Sequence, residues 1–568
     1  MRDPGRPSDR RAGNLPVKGS RILLDVLHDE GVRHVFGNPG TTELPLIAEL
    51  SRSTGPAYVL GLQESVVVAM ADGYAQASGR PAMVNLHAMA GLGNAIGNLT
   101  NARVQGTPLV VTAGQADQRH LVSDPLLAGD LTGLAAPVSK WTHEVRRVED
   151  LDVVMRRAFR DAASAPTGPV FVSLPVDVLE ADAPDDGAAA RHAVSELDRA
   201  PHGAPVAQLA ELLLETDPGR LAIVASDDVA TEQAVEELVG VAEALGVRVY
   251  GSSLHANTVF PTGHPLWAGG FGLSAGDIRA TLAGYDRVLV LGGRAFMAYN
   301  YSPGPLVPPE VELLQIALDP HSLGRTAPVR LGLVGHLRTT LGDLRKVLAE
   351  RGDPNRARAA MTELGTVHRA ALDAAEAHAL GSYSQVPTAP AAAVHAVFRA
   401  LPPDIVVVDE SMTCDDYVRA FHRADRPGQY YTARGSGLGW GMPAALGVSL
   451  ARGHEPVLCL VGDGSAMYSP QALWTAAREQ LPVLFVVVNN SQYLMLKNSL
   501  HHRYPEFGNG DRFVGMDIDH PAIDFVALAR SMGVRAERVE RATDIAEAAR
   551  AAWDSGGPRV LELPISAP

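Results

Sequence analysis

The tripeptide Gly462-Asp463-Gly464 and the pair Asn489-Asn490 bracket one strand–helix–strand unit, and this placement constrains the fold more than any other feature of the chain. The apolar run Val457-Leu-Cys-Leu-Val461 leads into the tripeptide, and a helical stretch from Pro470 to Glu479 follows it. A second apolar run, Pro482-Val-Leu-Phe-Val-Val-Val488, leads into the asparagines. Strands joined by a crossover helix run parallel, so both polar clusters fall at strand carboxyl ends, where open parallel sheets bind ligands. Asp463 and Asn490, 27 positions apart, bring side-chain oxygens together there. That donor set suits a hard cation such as Mg²⁺, with phosphate oxygens and water completing its octahedron. Gly462 and Gly464 let the backbone approach a phosphate, and Ser465 can hydrogen-bond it. A Gly-Asp-Gly alone is usually a turn after a strand; the paired asparagines at this spacing favour a Mg-diphosphate site.

Far upstream, Gln63-Glu64-Ser65 opens an apolar helical run, Val66 to Ala77, that closes near Gly79. A glutamate at a helix start complements the helix dipole and by itself needs no further role. Taken together, the Glu64 segment and the Gly462–Asn490 segment resemble the thiamine-diphosphate-dependent enzymes. Val35-Phe-Gly-Asn-Pro-Gly-Thr-Thr-Glu-Leu-Pro45, Asn85-Leu-His87, Gly91-Leu-Gly-Asn-Ala95 and Ala472-Leu-Trp-Thr-Ala-Ala477 are similar to the benzoylformate decarboxylase branch, and the likeness runs from about Ser20 to the end of the chain.

The resemblance implies two cofactors, thiamine diphosphate and Mg²⁺, and a set of roles. Glu64 would hydrogen-bond the cofactor's aminopyrimidine, and burial among Val66 to Ala71 should raise its pKa. Asp463, Asn490 and the backbone carbonyl of Gln492 would hold Mg²⁺. Pro39, Gly40, Ser411, Thr413, Gly462, Gly464, Ser465 and Tyr493 would border the cofactor. In Gly435-Ser-Gly-Leu-Gly-Trp-Gly-Met442, Leu438 would wedge between the cofactor's rings and Ser436 would offer its carbonyl to the pyrimidine amine; the alternative for Leu438 is an ordinary core leucine. His87 matches the family's proton-carrying histidine, and Thr41 keeps a hydroxyl where the branch has a substrate-contacting serine.

The match departs from the branch at the substrate. Tyr299 stands at the place of a second histidine, and a phenol is a much weaker acid than imidazolium. Thr432 and Ser499 replace two phenylalanines of the aryl pocket, and Met495 replaces a small alanine. The slot for a phenyl ring is thus expected to be partly polar and partly refilled, which argues against benzoylformate itself. His501, His502 and Arg503 follow at once, either as a polar substrate contact or as a solvated loop.

The rest of the chain sets the frame. A tail rich in Arg, Pro and Gly (1–19) lacks the apolar core of a signal peptide. Ser20 is a plausible N-cap for the first helix, which Gly31 ends. Alternating strands and helices then predict three consecutive doubly wound α/β domains with parallel sheets, at 20–180, 205–350 and 389–568; the resemblance implies that the first is pyrimidine-binding, the second central and Rossmann-like, and the third diphosphate-binding. A linker from Ala181 to Ala204 and a helical connection from Asn355 to Leu380 separate them. The family likeness implies that the first and third domains share a fold. Gly292-Gly293 follows a strand, but without the full dinucleotide fingerprint it reads as a turn. A net charge of −15 (49 Lys+Arg against 64 Asp+Glu) argues against nucleic acid or an anionic membrane. Cys414 and Cys459 exclude a disulfide framework and a zinc cluster. No apolar run reaches the ~20 residues a bilayer span needs.

These readings converge on a cytoplasmic, homodimeric or homotetrameric decarboxylase that converts a 2-keto acid to an aldehyde and CO₂. The alternatives are a carboligase or lyase of the same superfamily, akin to acetolactate synthase or to a 2-hydroxyacyl lyase, and a non-catalytic cofactor-binding partner subunit.

Overall fold

The computed structural model describes residues 17–183, 201, 203–299, 301–507 and 513–567. Three six-stranded sheets follow one another along the chain, and every strand pair in them is parallel. The first contains, in chain order, His34–Gly37, Ala57–Leu60, Ala82–Leu86, Leu109–Gln115, Thr142–Glu144 and Val170–Pro175. The third contains Val406–Glu410, Tyr430–Thr432, Val457–Gly462, Val483–Asn489, Arg535–Arg538 and Arg559–Pro564. Both have the spatial order 2-1-3-4-6-5, so the two domains share one topology. The central sheet, from Leu221–Ala225 to Leu331–Val334, has the order 3-2-1-4-5-6 of dinucleotide-binding folds. The space beside Gly292, after the fourth strand of this sheet, is filled by protein. A Cβ on Gly292 would lie 2.1 Å from Ser226 Oγ, and the Gly293 N–H donates to Asp228 Oδ2 at 2.7 Å. Gly292-Gly293 is therefore the turn its sequence predicts.

Several expectations need correction. Ser20 is not an N-cap: the first helix is Gly19–Asp29, with Lys18 at the cap position and no side-chain cap. Val17–Lys18 pairs antiparallel with Asp182–Ala183, so order begins inside the segment read as a tail, and the start of the linker closes the first domain. Residues 1–16 and 184–200 lie outside the described residues. Of the strands not located in sequence, Ala57–Leu60, Thr142–Glu144 and Arg535–Arg538 are short and lie at sheet edges, whereas Val406–Glu410 and Arg559–Pro564 lie inside the third sheet. Among the described residues no helix is long and apolar enough to cross a membrane.

One helix pair joins the first domain to the third. Gln63 caps Glu64–Ser78 by accepting from the Val66 N–H, and Gly79 ends it in the left-handed region at φ 66°. Its apolar residues are not confined to one stripe, as in a helix buried on all sides. It packs against Gly441–Ala451, which is similarly enclosed. The backbones touch: a Cβ at Gly447 would sit 1.9 Å from the Met70 carbonyl oxygen. A polar bond marks the same contact, Trp440 Nε1 donating to Asp72 Oδ2 at 2.9 Å. Burial pushes the Asp72 carboxyl above its ordinary value, against the bond from Trp440 and another from Gln76.

Gly447→Ala should therefore force these helices apart. Overpacking costs about 1–3 kcal/mol, and we expect the melting temperature of the cofactor-free protein to fall by roughly 5 °C. An unchanged melting temperature would show that the contact yields easily.

Candidate active site

Strands Val457–Gly462 and Val483–Asn489 pair with Gly462 opposite Val488, so Asp463 and Asn490 leave the sheet side by side at its carboxyl edge. The two asparagines divide the work. Asn489 is buried, donates to Glu562 Oε1 at 2.8 Å and accepts from the Ser491 N–H and hydroxyl. Asn490 is less buried and accepts only the Gln492 N–H, at 3.1 Å. Burial pushes the Asp463 carboxyl up to about 6, although backbone N–H groups of Gly464, Ser491 and Gln492 favour its charged form. Its Oδ2 is buried with no hydrogen-bond partner among the described residues. A buried carboxylate oxygen without a partner is costly, and a cation beside Asn490 and the Gln492 backbone would supply one. These residues thus fit Mg²⁺ in donor chemistry. Ser465 is buried, and the Tyr493 ring packs so close to Gly464 that a Cβ there would lie 2.7 Å from it.

The neighbouring Gly435–Gly439 loop is held by buried side chains. Glu410, at the end of its strand, accepts from the N–H groups of Gly439 at 2.8 Å, Trp440 at 3.2 Å and Gly441 at 2.9 Å. Burial nevertheless pushes its carboxyl up to about 7. Asp409 binds the Ser411 N–H and hydroxyl and the Tyr430 hydroxyl; Thr413 follows in the short 3₁₀ turn Met412–Cys414. Ser436 is exposed in the left-handed region at φ 55°. Leu438 is only partly buried and belongs to none of the apolar clusters, so it is not an ordinary core leucine. The Thr432 hydroxyl donates to the Asp409 carbonyl at 2.7 Å, which leaves its methyl as the group it can present.

On the first domain, Glu64 is buried and accepts from Asn38 Nδ2 at 3.1 Å and Asn94 Nδ2 at 3.0 Å. Its surroundings are thus amide donors as well as the apolar residues expected. His87 Nδ1 lies 2.8 Å from Glu43 Oε2. Glu43 is 1% exposed and also binds the N–H groups of Gly40 and Gly114 and the Thr42 hydroxyl. Gly40 is required here, because a Cβ would stand 2.1 Å from the His87 ring nitrogen. The segment from Asn38 to Glu43 thereby touches both Glu64 and His87, with Pro39 and Thr41 exposed on it. Glu43 lies within a quoted motif, yet no role attaches to it in sequence; an acidic residue three after a glycine is an unspecific signal.

Among the described residues no hydrogen bond, ion pair or ring contact joins the Glu64–His87 group to the Asp463–Asn490 group. Tyr299 is 84% exposed, with its N–H on the Leu273 carbonyl. Met495 and Ser499 are exposed on the helix Leu494–Arg503. His501, His502 and Arg503 form the last turn of that helix and not a loop, and His501 Nδ1 lies 3.0 Å from the Phe507 carbonyl.

Comparison with known proteins accounts for this arrangement. Residues 17–134 match the family described as thiamine pyrophosphate enzyme, N-terminal TPP binding domain; residues 206–344 match its central domain, and 411–563 its C-terminal TPP binding domain. The chain belongs to the thiamine pyrophosphate enzyme family. It is 33% identical to benzoylformate decarboxylase of Pseudomonas aeruginosa, over 95% of this chain and 97% of that protein. It is 28% identical to the acetolactate synthase isozyme 3 large subunit of Escherichia coli, over 89% and 90%. The structure of a thiamine diphosphate-dependent 4-hydroxybenzoylformate decarboxylase from Rhodococcus jostii superposes with a TM-score of 0.86 at 30% identity, covering 97% of this chain and all of that one.

The raised value of Glu410 gives a pH dependence. Its carboxyl gains a proton more readily folded than unfolded, so its contribution to stability is full below about 4.5 and is lost as pH rises through about 7. The loss is on the order of 3 kcal/mol. Melting of the cofactor-free protein between pH 5 and 8 should show a shallower decline in Glu410→Gln than in the parent; parallel curves would mean that Glu410 does not titrate in this range.

Proposed function

We propose that the chain is a thiamine-diphosphate- and Mg²⁺-dependent decarboxylase that converts a 2-keto acid to an aldehyde and CO₂. The observation that carries this is His87, held by buried Glu43 on the same rim as Glu64. An aldehyde product requires a proton at the carbon that loses CO₂, and a fixed imidazole can deliver one. When bound, thiamine diphosphate supplies the carbon nucleophile and the electron sink. Asp463, Asn490 and the Gln492 carbonyl would hold Mg²⁺, and Gly462, Gly464, Ser465, Ser411 and Thr413 would border the diphosphate. Glu64 would hydrogen-bond the aminopyrimidine, the Ser436 backbone carbonyl would accept from its amine, and Leu438 would pack against the cofactor. Thr41 and Tyr299 face the substrate, and Thr432, Met495 and Ser499 shape its side-chain pocket.

The substrate differs from benzoylformate in shape or polarity, since Thr432 and Ser499 stand where the aryl pocket has phenylalanines. Exposed Leu126, Met467, Tyr468, Met495 and Leu496 support a homodimer or homotetramer in which such surfaces are covered. Two buried, unpaired cysteines suit the reducing cytoplasm. The full-length likeness to an acetolactate synthase subunit supports a second reading, carboligation, in which a second carbonyl compound is joined instead of a proton. Product analysis with and without an acceptor aldehyde separates the two.

Two experiments test the proposal. Asp463→Ala should keep the fold, by circular dichroism, while Mg²⁺-dependent affinity for thiamine diphosphate drops at least tenfold; parental affinity would place the metal elsewhere. In a panel of 2-keto acids with CO₂ detection, an aliphatic, branched or hydroxylated substrate should exceed benzoylformate in kcat/KM. Pocket misfits cost only ~1–3 kcal/mol, so residual benzoylformate turnover is expected, but benzoylformate as the best substrate would refute the pocket assignment.

A further inference from the structure

Where the central domain, the long helix Pro354–Gly381 and the third domain meet, they enclose a cavity of about 390 Å³. None of the residues assigned above to cofactor, metal or substrate lines it. Domain junctions are common places for small-molecule sites, and this volume falls within their usual range. One wall is aromatic. Phe260 and Trp267 stack with 6.2 Å between ring centroids and 17° between planes, and Tyr430 of the third domain lines the same space. Another wall is a single face of the long helix, where Leu364, His368, Ala371, Leu372 and Ala375 recur at intervals of three and four.

The charges in this lining do not balance. Arg248, Arg419 and Arg423 stand against Asp416 alone, in a chain whose net charge is −15. Among the described residues none of the three arginines makes an ion pair. Arg419 is partly accessible and firmly held. Its NH1 lies 2.7 Å from His255 Nε2, its NH2 donates to the His255 carbonyl at 3.1 Å, and its guanidinium covers the Tyr430 ring at 4.6 Å from the centroid. Burial and the Arg419 charge push the His255 imidazole well below its ordinary value, so it meets Arg419 as a neutral acceptor. Burial also lowers His368, and takes His422 down to about 4, so the histidines of the lining add no charge near neutral pH. Asp415, Asp409 and Asp227 act on Arg419 only from longer range. Of these, Asp409 is engaged by Ser411 and Tyr430, Asp227 by Arg434, and burial pushes the Asp415 carboxyl up to about 7.

A guanidinium has five N–H donors, and Arg419 spends two of them on neutral partners. A partly buried cation with donors to spare and no counter-ion is costly until an anion reaches it. Arg419 also ties the third domain to the central one through His255, and a clamp of that kind needs no ligand. It does not account for the apolar-walled space beside the clamp, nor for two further unpaired arginines in the same lining.

We propose that this cavity binds a small monocarboxylate with an apolar body, its carboxylate forked on Arg419 and its body between the aromatic residues and the helix face. Paired guanidinium N–H groups match a carboxylate in two parallel bonds. Inorganic phosphate is the poorer fit, because apolar walls offer it nothing. The site is separate from the one proposed for catalysis, so it stands or falls independently of that reading.

Isothermal titration of the intact protein with 3-phenylpropanoate, hexanoate, 3-phenylpropanamide and inorganic phosphate tests the assignment. At least one of the two carboxylates should bind with a Kd of about 1 mM or below, as expected for ligands of this size. Their order shows whether the preferred body is aryl or aliphatic. The amide and phosphate should bind at least tenfold more weakly. Arg419→Gln should weaken the preferred carboxylate at least tenfold, and Ala375→Trp, which fills the cavity from the helix side, should do the same. A site for 2-keto acids also accepts carboxylates, so parental affinity in either folded variant would place the binding elsewhere and overturn the proposal. Failure of the parent to bind either carboxylate would overturn it too, as would equal binding of the amide or of phosphate. Should Arg419→Gln fail to fold, Ala375→Trp alone decides.

Discussion

The close approach of helices Glu64–Ser78 and Gly441–Ala451 sets the position of the candidate site residues on both domains. One helix begins with Glu64, and the other follows directly on the loop that ends at Gly439 and Trp440. Glycine on one helix admits the backbone of the other, at Gly447 against Met70 and at Gly73 against Ala444. Contact at that range leaves no room for sliding, since a shift of one residue would drive a side chain into a carbonyl. The bond from Trp440 to Asp72 adds direction, because an indole N–H buried beside a carboxyl must find it. The apolar packing supplies adhesion, and the polar bond fixes the register.

Around that contact the site is built from buried polar groups whose hydrogen bonds go to backbone. Glu410 holds three successive N–H donors near the start of a helix, Asn101 holds a single glycine on both sides, and Glu43 collects two N–H groups, a hydroxyl and an imidazole. Each replaces water that the loops would otherwise need, which allows irregular backbone to run through the interior. By contrast, Asp463 Oδ2 is buried without a hydrogen-bond partner among the described residues, which supports the ligand role proposed for it.

The parts of this arrangement legible in sequence were those with a period or a spacing. Long apolar runs located the inner strands of the first sheet, and Val457–Gly462 and Val483–Asn489 of the third, to within a few residues, and Gly79 and Gly31 marked helix ends because a left-handed residue leaves a chemical signature. Asp463 and Asn490 were legible because parallel register converts their separation into adjacency. Glu43 and Asn101 were not, since each acts on backbone brought near only by the fold, Asn101 on Gly437, 336 positions away. Ser20 failed as a cap because the chain enters that helix from a strand paired with Asp182–Ala183, and the helix starts earlier, at Gly19. Edge strands failed because half their surface faces solvent and their alternation carries little apolar signal.

The substrate pocket shows how a polar residue in sequence can be apolar in place. Thr432 reads as a hydroxyl introduced where the branch has a phenyl ring. Its hydroxyl is instead turned onto the Asp409 carbonyl, a strand residue that needs that bond at the sheet edge. On the proposed reading of the pocket, exchange of phenylalanine for threonine here would create volume more than donor polarity, since the hydroxyl proton is already used. Met495, an unbranched side chain on an exposed helix, can move into such volume or leave it according to what is bound. A pocket of that kind discriminates by shape, and weakly, because each methylene of misfit costs little. Polarity, if the substrate carries any, must be met by Ser499, Tyr299 or the His501–Arg503 turn, and of these His501 already has its Nδ1 beside the Phe507 carbonyl.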